Sequence, residues 1–247
     1  MTSVQLWLVT AGVVLVSATV QSMTGFGFAV LAVPLLALFW RPVEAVGLSM
    51  ILSTLCILLM WPGLRKAERL PVIWPLTIGA LVGLPIGSWA LQRLDLHMLR
   101  LVIGTVTLAA VAVFGFGVLR GGTPAGSKPR RVVSLVTGLF AGLLTGSLSM
   151  PGPPVVMLLT GAGAPKASYR ATLTTFAVII YPIGLAAMLV QGLIPSSVLL
   201  QGLLHAPVLM LGIWAGRRLH GVASERTFAL SSLALLAFAG ALCFVSR

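Results

Sequence analysis

The chain has 247 residues, 58% of them apolar and only 8% charged, with a formal net charge of +12. A water-soluble domain needs about a quarter of its residues charged to cover its surface, so a soluble globular fold is excluded and lipid must solvate much of this chain. The positive charge does not indicate nucleic acid either, because the basic residues punctuate apolar runs, as at Arg41, Arg65, Arg93, Arg120 and Arg130, instead of gathering on one face.

In chain order, the first charge-free stretch, 1–40, is too long for one membrane span of about 20 residues and is interrupted at Gly25-Phe26-Gly27. It divides into segments at 4–22 and 27–40. No basic stretch precedes its apolar core, which argues for a retained first helix over a cleaved signal. Spans at 44–63, 71–91 and 99–119 follow. The segment RGGTPAGSKPRR (120–131) is rich in glycine, proline and basic residues and reads as a loop between two halves. A second charge-free stretch, 132–165, is broken at Met150-Pro151-Gly152-Pro153-Pro154 and divides into 132–149 and 152–164. The uncharged run 171–216 turns at QGLIPSS (191–197), leaving a span at 196–216, and a last span lies at 226–245. Cys56 and Cys243 stand alone inside apolar segments, as packing residues do, so neither a disulfide nor a metal site is expected, and no cofactor.

Both halves thus run in the same order, a long charge-free stretch broken near its middle and then three spans. Landmarks recur at an offset of about 125 residues: Gly27 with Gly152, Arg41 with Lys166, Ser49 with Thr174, Pro71 with Pro195 and Arg100 with Arg226, while Gly83 and Gly87 are set against Gly212 and Gly216. The expected fold is an all-α polytopic membrane protein. Residues 1–119 and 132–247 form two repeats of about five helical segments each, joined by the basic loop 120–131, with a broken or re-entrant first pair in each half. Five is odd, so the second repeat is inverted. Inversion puts 12 basic residues on one side (Arg65, Lys66, Arg69, Arg120, Lys128, Arg130, Arg131, Lys166, Arg170, Arg217, Arg218, Arg226) and 4 on the other (Arg41, Arg93, Arg100, Arg247). A parallel arrangement gives 8 and 8 from the same residues. The enrichment of Lys and Arg in cytoplasmic loops selects the inverted arrangement, with both termini outside the cytoplasm. Two full crossings and a re-entrant pair fit each broken stretch equally.

The breaks are where chemistry is expected. In hydrocarbon every backbone N–H and C=O must be bonded, so non-helical backbone survives only inside protein or beside a wet cavity, and paired interruptions in two repeats point to a transporter site. Gly25 and Gly27 expose the N-terminus of the helix that follows, as does Gly152, flanked by Pro151 and Pro153 in a first turn that tolerates proline. A helix N-terminus favours an anion, and the hydroxyls of Ser22, Thr24, Ser147 and Ser149 adjoin these termini in sequence. Gln21, Ser49, Thr174 and Arg170 are candidates to line the site. His205, midway along its span, and Glu44, at the start of another, are candidates for proton coupling.

TGFGFAVLAVP (24–34) and its second copy GLFAGLLTGSLSMPGPPVVML (138–158) resemble the TauE/SafE family of membrane permeases. The resemblance covers the whole chain in length and two-half layout. It implies a duplicated, helical transporter fold and transport of sulfite, sulfoacetate or a related sulfur oxyanion or organosulfonate. The expectation is therefore a secondary transporter, an exporter, of a small anion in a bacterial-type cytoplasmic membrane, working by alternating access. No GxxxxGK[ST] nucleotide motif is present, so an H+ or Na+ gradient or the membrane potential would drive it. The partners expected are the anion, the lipid bilayer and the coupling ion, with a homodimer left open and no nucleic acid. A cation or other small-solute permease or channel is the alternative. An intramembrane enzyme is disfavoured by the four acidic residues, none central, and by the absence of HExxH.

Overall fold

Long runs of Leu, Val, Ala and Ile with no charge leave a helix as the only element that satisfies its own backbone in lipid. The computed structural model describes residues 3–63, 70–120, 130–161 and 166–219, with six further helical positions between 234 and 243. Among the described residues it consists of helices and no strands: α1 (Ser3–Thr24), α2 (Phe28–Leu36), α3 (Pro42–Met60), α4 (Ile73–Arg93), α5 (Leu96–Arg120), α6 (Arg131–Leu148), α7 (Gly152–Gly161), α8 (Lys166–Val190), α9 (Ser196–Leu204) and α10 (Ala206–Leu219). Five of these are long and apolar enough to cross a membrane, six if α9 and α10 count as one span. The protein is a multi-pass helical membrane protein. Leu8, Trp74, Phe140, Leu203 and Trp214 are among the large apolar side chains left exposed, as lipid-facing positions must be.

The two short helices lie at the expected breaks. α2 has 9 residues and α7 has 10, so each is about 14–15 Å long and spans about half of a 30 Å hydrocarbon core. α2 turns back along α1, because the Trp40 indole N–H beyond its end donates to the Thr10 hydroxyl at 3.0 Å. α7 likewise packs on α6. The first pair in each half is thus a long helix followed by a short one. α3 is the most enclosed long helix, with 72% of its apolar window buried against 28% for α1, and packs on α2, α8 and α9.

Backbone-to-backbone contact joins the halves. Gly79, Gly83 and Gly87 repeat at every fourth position of α4, and Gly138, Gly142 and Gly146 do the same in α6. A Cβ at any of the six would collide with backbone of the partner helix, such as the carbonyls of Leu135, Leu139 and Leu143 or of Leu76, Ala80 and Leu84. Small residues at such spacing allow this approach in membranes, where dispersion contacts hold helices together. α10 meets α1 similarly: a Cβ at Gly212 would lie 2.7 Å from that of Ala18, and one at Gly216 2.6 Å from the Thr19 carbonyl. The Thr19 hydroxyl reaches the Gly212 carbonyl at 3.3 Å and the Ser22 hydroxyl that of Ile213 at 3.0 Å.

The span expected at 196–216 is two helices bent by 43° at His205. Pro207 lacks an N–H, and its ring crowds the carbonyl four residues back, which breaks the ladder there. The turn at QGLIPSS is present, with Gly192 at φ 67°. Most of the loop 120–131, the side chains of Arg65, Lys66, Arg69 and Lys128, and most of the last span at 226–245 lie outside the described residues.

The glycine contact gives a direct test. Gly142→Val should abolish a cooperative melt of the detergent-solubilised protein or lower its midpoint steeply, since overpacking costs about 1–3 kcal/mol even where side chains can adjust and here backbone must move. Gly12→Ala, where nothing lies within 4 Å, should leave the melt unchanged.

Candidate functional site

The first break is organised by one buried side chain. α1 ends at Thr24; Gly25 (φ 87°) and Gly27 (φ 107°) both take the left-handed conformation that glycine alone adopts without steric cost, and α2 starts at Phe28. Gln21, 4% exposed, reaches across the gap. Its carbonyl oxygen accepts from the Phe28 N–H at 2.9 Å and its amide nitrogen donates to the Gly25 carbonyl at 3.4 Å. Leu31 N–H bonds back to the Gly27 carbonyl at 3.1 Å. The N–H groups of Ala29 and Val30, which a first helical turn cannot pair internally, therefore sit at the mouth of α2. Outside the break, the half-buried Arg170 of α8 donates to the Ser22 carbonyl at 3.2 Å, a cation at the negative end of α1. Its side chain also packs on Gly25, where a Cβ would stand 3.4 Å from Arg170 Nε.

The second break is built differently. α6 ends on Ser149, left-handed at φ 59°, whose N–H bonds to the Thr145 carbonyl at 2.9 Å. Its hydroxyl donates to the Val46 carbonyl of α3 at 3.1 Å, and its own carbonyl accepts from the Tyr181 hydroxyl at 3.3 Å. Pro151 follows, and α7 opens at Gly152 with Pro153 and Pro154 behind it. Of the first three residues of α7 only Gly152 carries an N–H, so donors at this terminus are scarce.

A small cavity lies where the breaks meet. It is lined by Gln21, Gly25, Phe26, Gly27, Ala29 and Val30 from the first half, by Met150, Pro151 and Gly152 from the second, and by Leu173, Phe176, Ala177 and Tyr181 along one face of α8. Its volume is about 20 Å³ on the scale where one water needs about 10–15 Å³, so it offers water-sized space and is partly open. Among the described residues no carboxylate lines it. The described residues also hold no group of three or more His, Cys, Asp or Glu suited to a metal.

The structure brings Gln21, Gly25, Gly27, Pro151 and Gly152 to this one cavity. It turns three of the expected hydroxyls onto backbone carbonyls elsewhere: Ser22 onto Ile213, Ser147 onto Leu143 at 2.8 Å and Ser149 onto Val46. Thr24 bonds to the Val20 carbonyl at 2.9 Å and, within the break, to both the carbonyl and the N–H of the cavity-lining Phe26. Pro153, Ser49 and Thr174 do not line the cavity, and the latter two are fully buried. Glu44 is half-buried in the first turn of α3. His205 sits at the α9–α10 bend, with Nδ1 2.8 Å from the Gln201 carbonyl, Nε2 3.4 Å from the Trp7 carbonyl and the Trp7 ring 5.2 Å away. Trp7 is about 21 Å along α1 from Gln21 at 1.5 Å per residue. The aromatic wall was not among the expected site residues. Tyr181 carried the available signal, as one of two tyrosines in the chain and a phenol in the middle of an uncharged run.

A family model described as sulfite exporter TauE/SafE matches residues 9–242, nearly the whole chain. The chain belongs to the TauE/SafE family. No curated protein and no solved structure matches it. Membership makes this a membrane transporter of the sulfite-exporter class, and the cavity between the breaks is its candidate binding site.

In this TauE/SafE protein the Gln21 bridge holds the break together. Gln21→Leu keeps the bulk but strands the Phe28 N–H and the Gly25 carbonyl. The expected loss is about 1–3 kcal/mol, the usual cost of an unsatisfied buried group, read as a lower melting midpoint in detergent.

Proposed function

We propose that the protein is a secondary transporter that exports a small sulfur oxyanion or organosulfonate, sulfite first among them, through alternating access of two inverted repeats. The observation that carries the anion reading is the electrostatics of the cavity. The N-terminal turn of α2 opens into it, the Arg170 side chain packs on the outer side of the lining residue Gly25, and no carboxylate among the described residues lines it. A cation finds no ionised ligand there. Export agrees with the membrane potential, which drives an anion out of a negative interior by about 2.3 kcal/mol per charge at 100 mV. An H+ or Na+ gradient could be coupled in addition. Glu44 and His205 stay candidates for that coupling only at a distance, because neither lines the cavity.

The packing supports a duplication, and the loop charges favour its inverted form. α4 lies on α6, and α10 lies on α1, so, with α9 and α10 counted as one segment, each half sends its fourth segment to the first helix of the other. Arg93 stacks over Trp89 with 5.1 Å to the ring centroid, and Arg218 over Trp214 with 5.2 Å; both pairs are related by the offset of about 125 residues. In that register Gly87 corresponds to Gly212, a shift from the sequence pairing of Gly83 and Gly87 with Gly212 and Gly216. Gly87 meets Leu143 and Gly212 meets Ala18, the same contact with the halves exchanged. With the basic side cytoplasmic, the setting is a bacterial-type cytoplasmic membrane with both termini outside the cytoplasm.

The test is ligand stabilisation of purified protein in detergent, using sulfite, sulfate, thiosulfate, taurine, sulfoacetate and carboxylates beside a panel of cations. A bound sulfur anion at 100 times its Kd should add about 2.7 kcal/mol, read as a saturable rise in melting midpoint that Gln21→Glu, by placing a carboxylate in the cavity, removes. A shift with cations alone, or with nothing, overturns the anion reading.

A further inference from the structure

We propose that Phe26 is the size-determining and occluding residue of the cavity, carried on a glycine hinge and closing against a rigid second break. The inference takes the cavity as the substrate site from the function proposed above, but the hinge and its closure stand on geometry alone. In the structure the cavity has room for about one water, and an oxyanion of four heavy atoms does not fit in that space. Some part of the lining must therefore move for any such ligand to bind.

The candidates differ in how firmly they are held. Phe176 is 1% exposed and lies in the middle of a 25-residue helix. Tyr181 is 6% exposed and its hydroxyl is tied to the Ser149 carbonyl. Both are locked by packing in a dense interior. Met150 and Gly152 stand on either side of Pro151, and Pro153 and Pro154 follow, so much of this backbone has φ fixed near −65°. Phe26 is held by its backbone and not by a helix. It is half-buried, outside any helix, and stands between Gly25 and Gly27, both left-handed. Its N–H and its carbonyl are both tied to the Thr24 hydroxyl, and glycine visits both signs of φ at little cost, so the peptides on either side of Phe26 can pivot once that one hydroxyl lets go.

The ring has a seat. A Cβ at Gly152 would meet only the Phe26 ring within 4 Å, at 3.7 Å. Phe26 thus closes across the cavity onto the one position of the second break that has no side chain. The asymmetry is written in the repeat: the residues about 125 on from Gly25, Phe26 and Gly27 are Met150, Pro151 and Gly152. One repeat supplies a swivel and the other a fixed stop. Phe26 sets which ligands fit, because the space it vacates is the space a ligand gains.

The experiment reads access to the cavity without any substrate. In a Cys56→Ala, Cys243→Ala background, Ala177→Cys places a thiol on the α8 wall of the cavity, and its reaction rate with a sulfonate-bearing methanethiosulfonate is measured in detergent with Phe26 and with Phe26→Ala, Phe26→Leu and Phe26→Trp. The expected order is Ala fastest, then Leu, then Phe, then Trp, spanning at least about tenfold, the ratio expected when a closed state is favoured by little more than 1 kcal/mol. Rates independent of the side chain at 26 overturn the proposal. Should Phe26→Ala fail to give a cooperative melt, the Leu and Trp variants decide by the same order. The two failures separate cleanly. Graded labelling with no anion stabilisation leaves the occluding residue standing and sinks the anion reading. Flat labelling with anion stabilisation does the reverse.

Discussion

Hydrocarbon offers no water to a free N–H or C=O, and everything unusual in this protein follows from breaking two helices under that constraint. The breaks survive because each is enclosed by protein and its backbone groups find partners. At the first, Gln21 bridges the gap with both ends of its amide. At the second, Ser149 ties α6 to α3 and to Tyr181, while prolines remove N–H groups that would otherwise need partners. The two ends then face each other, and what remains between them is a small cavity with donors on one side and an aromatic wall on the other.

The frame around the cavity is held by contacts of a different kind. The glycine positions of α4 and α6 let two backbones touch along three helical turns, and α10 does the same more loosely on α1. These contacts join one half of the chain to the other, so each break is mounted on a helix pair drawn from both halves. Arg170 adds a further crossing, from α8 to the end of α1. The glycine-flanked Phe26 and the proline-fixed stop opposite it meet at the junction of these helix pairs.

Much of this was legible in the sequence, for identifiable reasons. Charge-free runs and their glycine and proline interruptions set the helix ends of α1, α2, α6 and α7 to within a few residues, because a proline, or two glycines one residue apart, breaks a helix. The turn at Gly192 was equally plain. The bend at His205 was not read, although Pro207 signals it, because a continuous apolar run looks like one span. Gln21 was taken for a lining residue when it also caps the following helix. The hydroxyls of Ser22, Thr24, Ser147 and Ser149 were expected at the site from their proximity along the chain, but which way a side chain points depends on the neighbouring helix. Three-dimensional packing turned the three serines onto backbone carbonyls elsewhere, while Thr24 also bonds to Phe26 within the break. The wall formed by Phe176 and Tyr181 comes from the second half, and nothing local to the breaks announces it.

The most direct measurement locates an anion in the molecule. Selenite has the shape and charge of sulfite, and its selenium scatters anomalously, so diffraction from crystals grown with selenite reports the ion's position without modelling the protein around it. An anomalous peak within hydrogen-bond distance of the Ala29 and Val30 N–H groups, with the Phe26 ring displaced from Gly152, is the result expected. A saturated ion elsewhere, with this cavity still of water size and the Phe26 ring still on Gly152, would contradict the site.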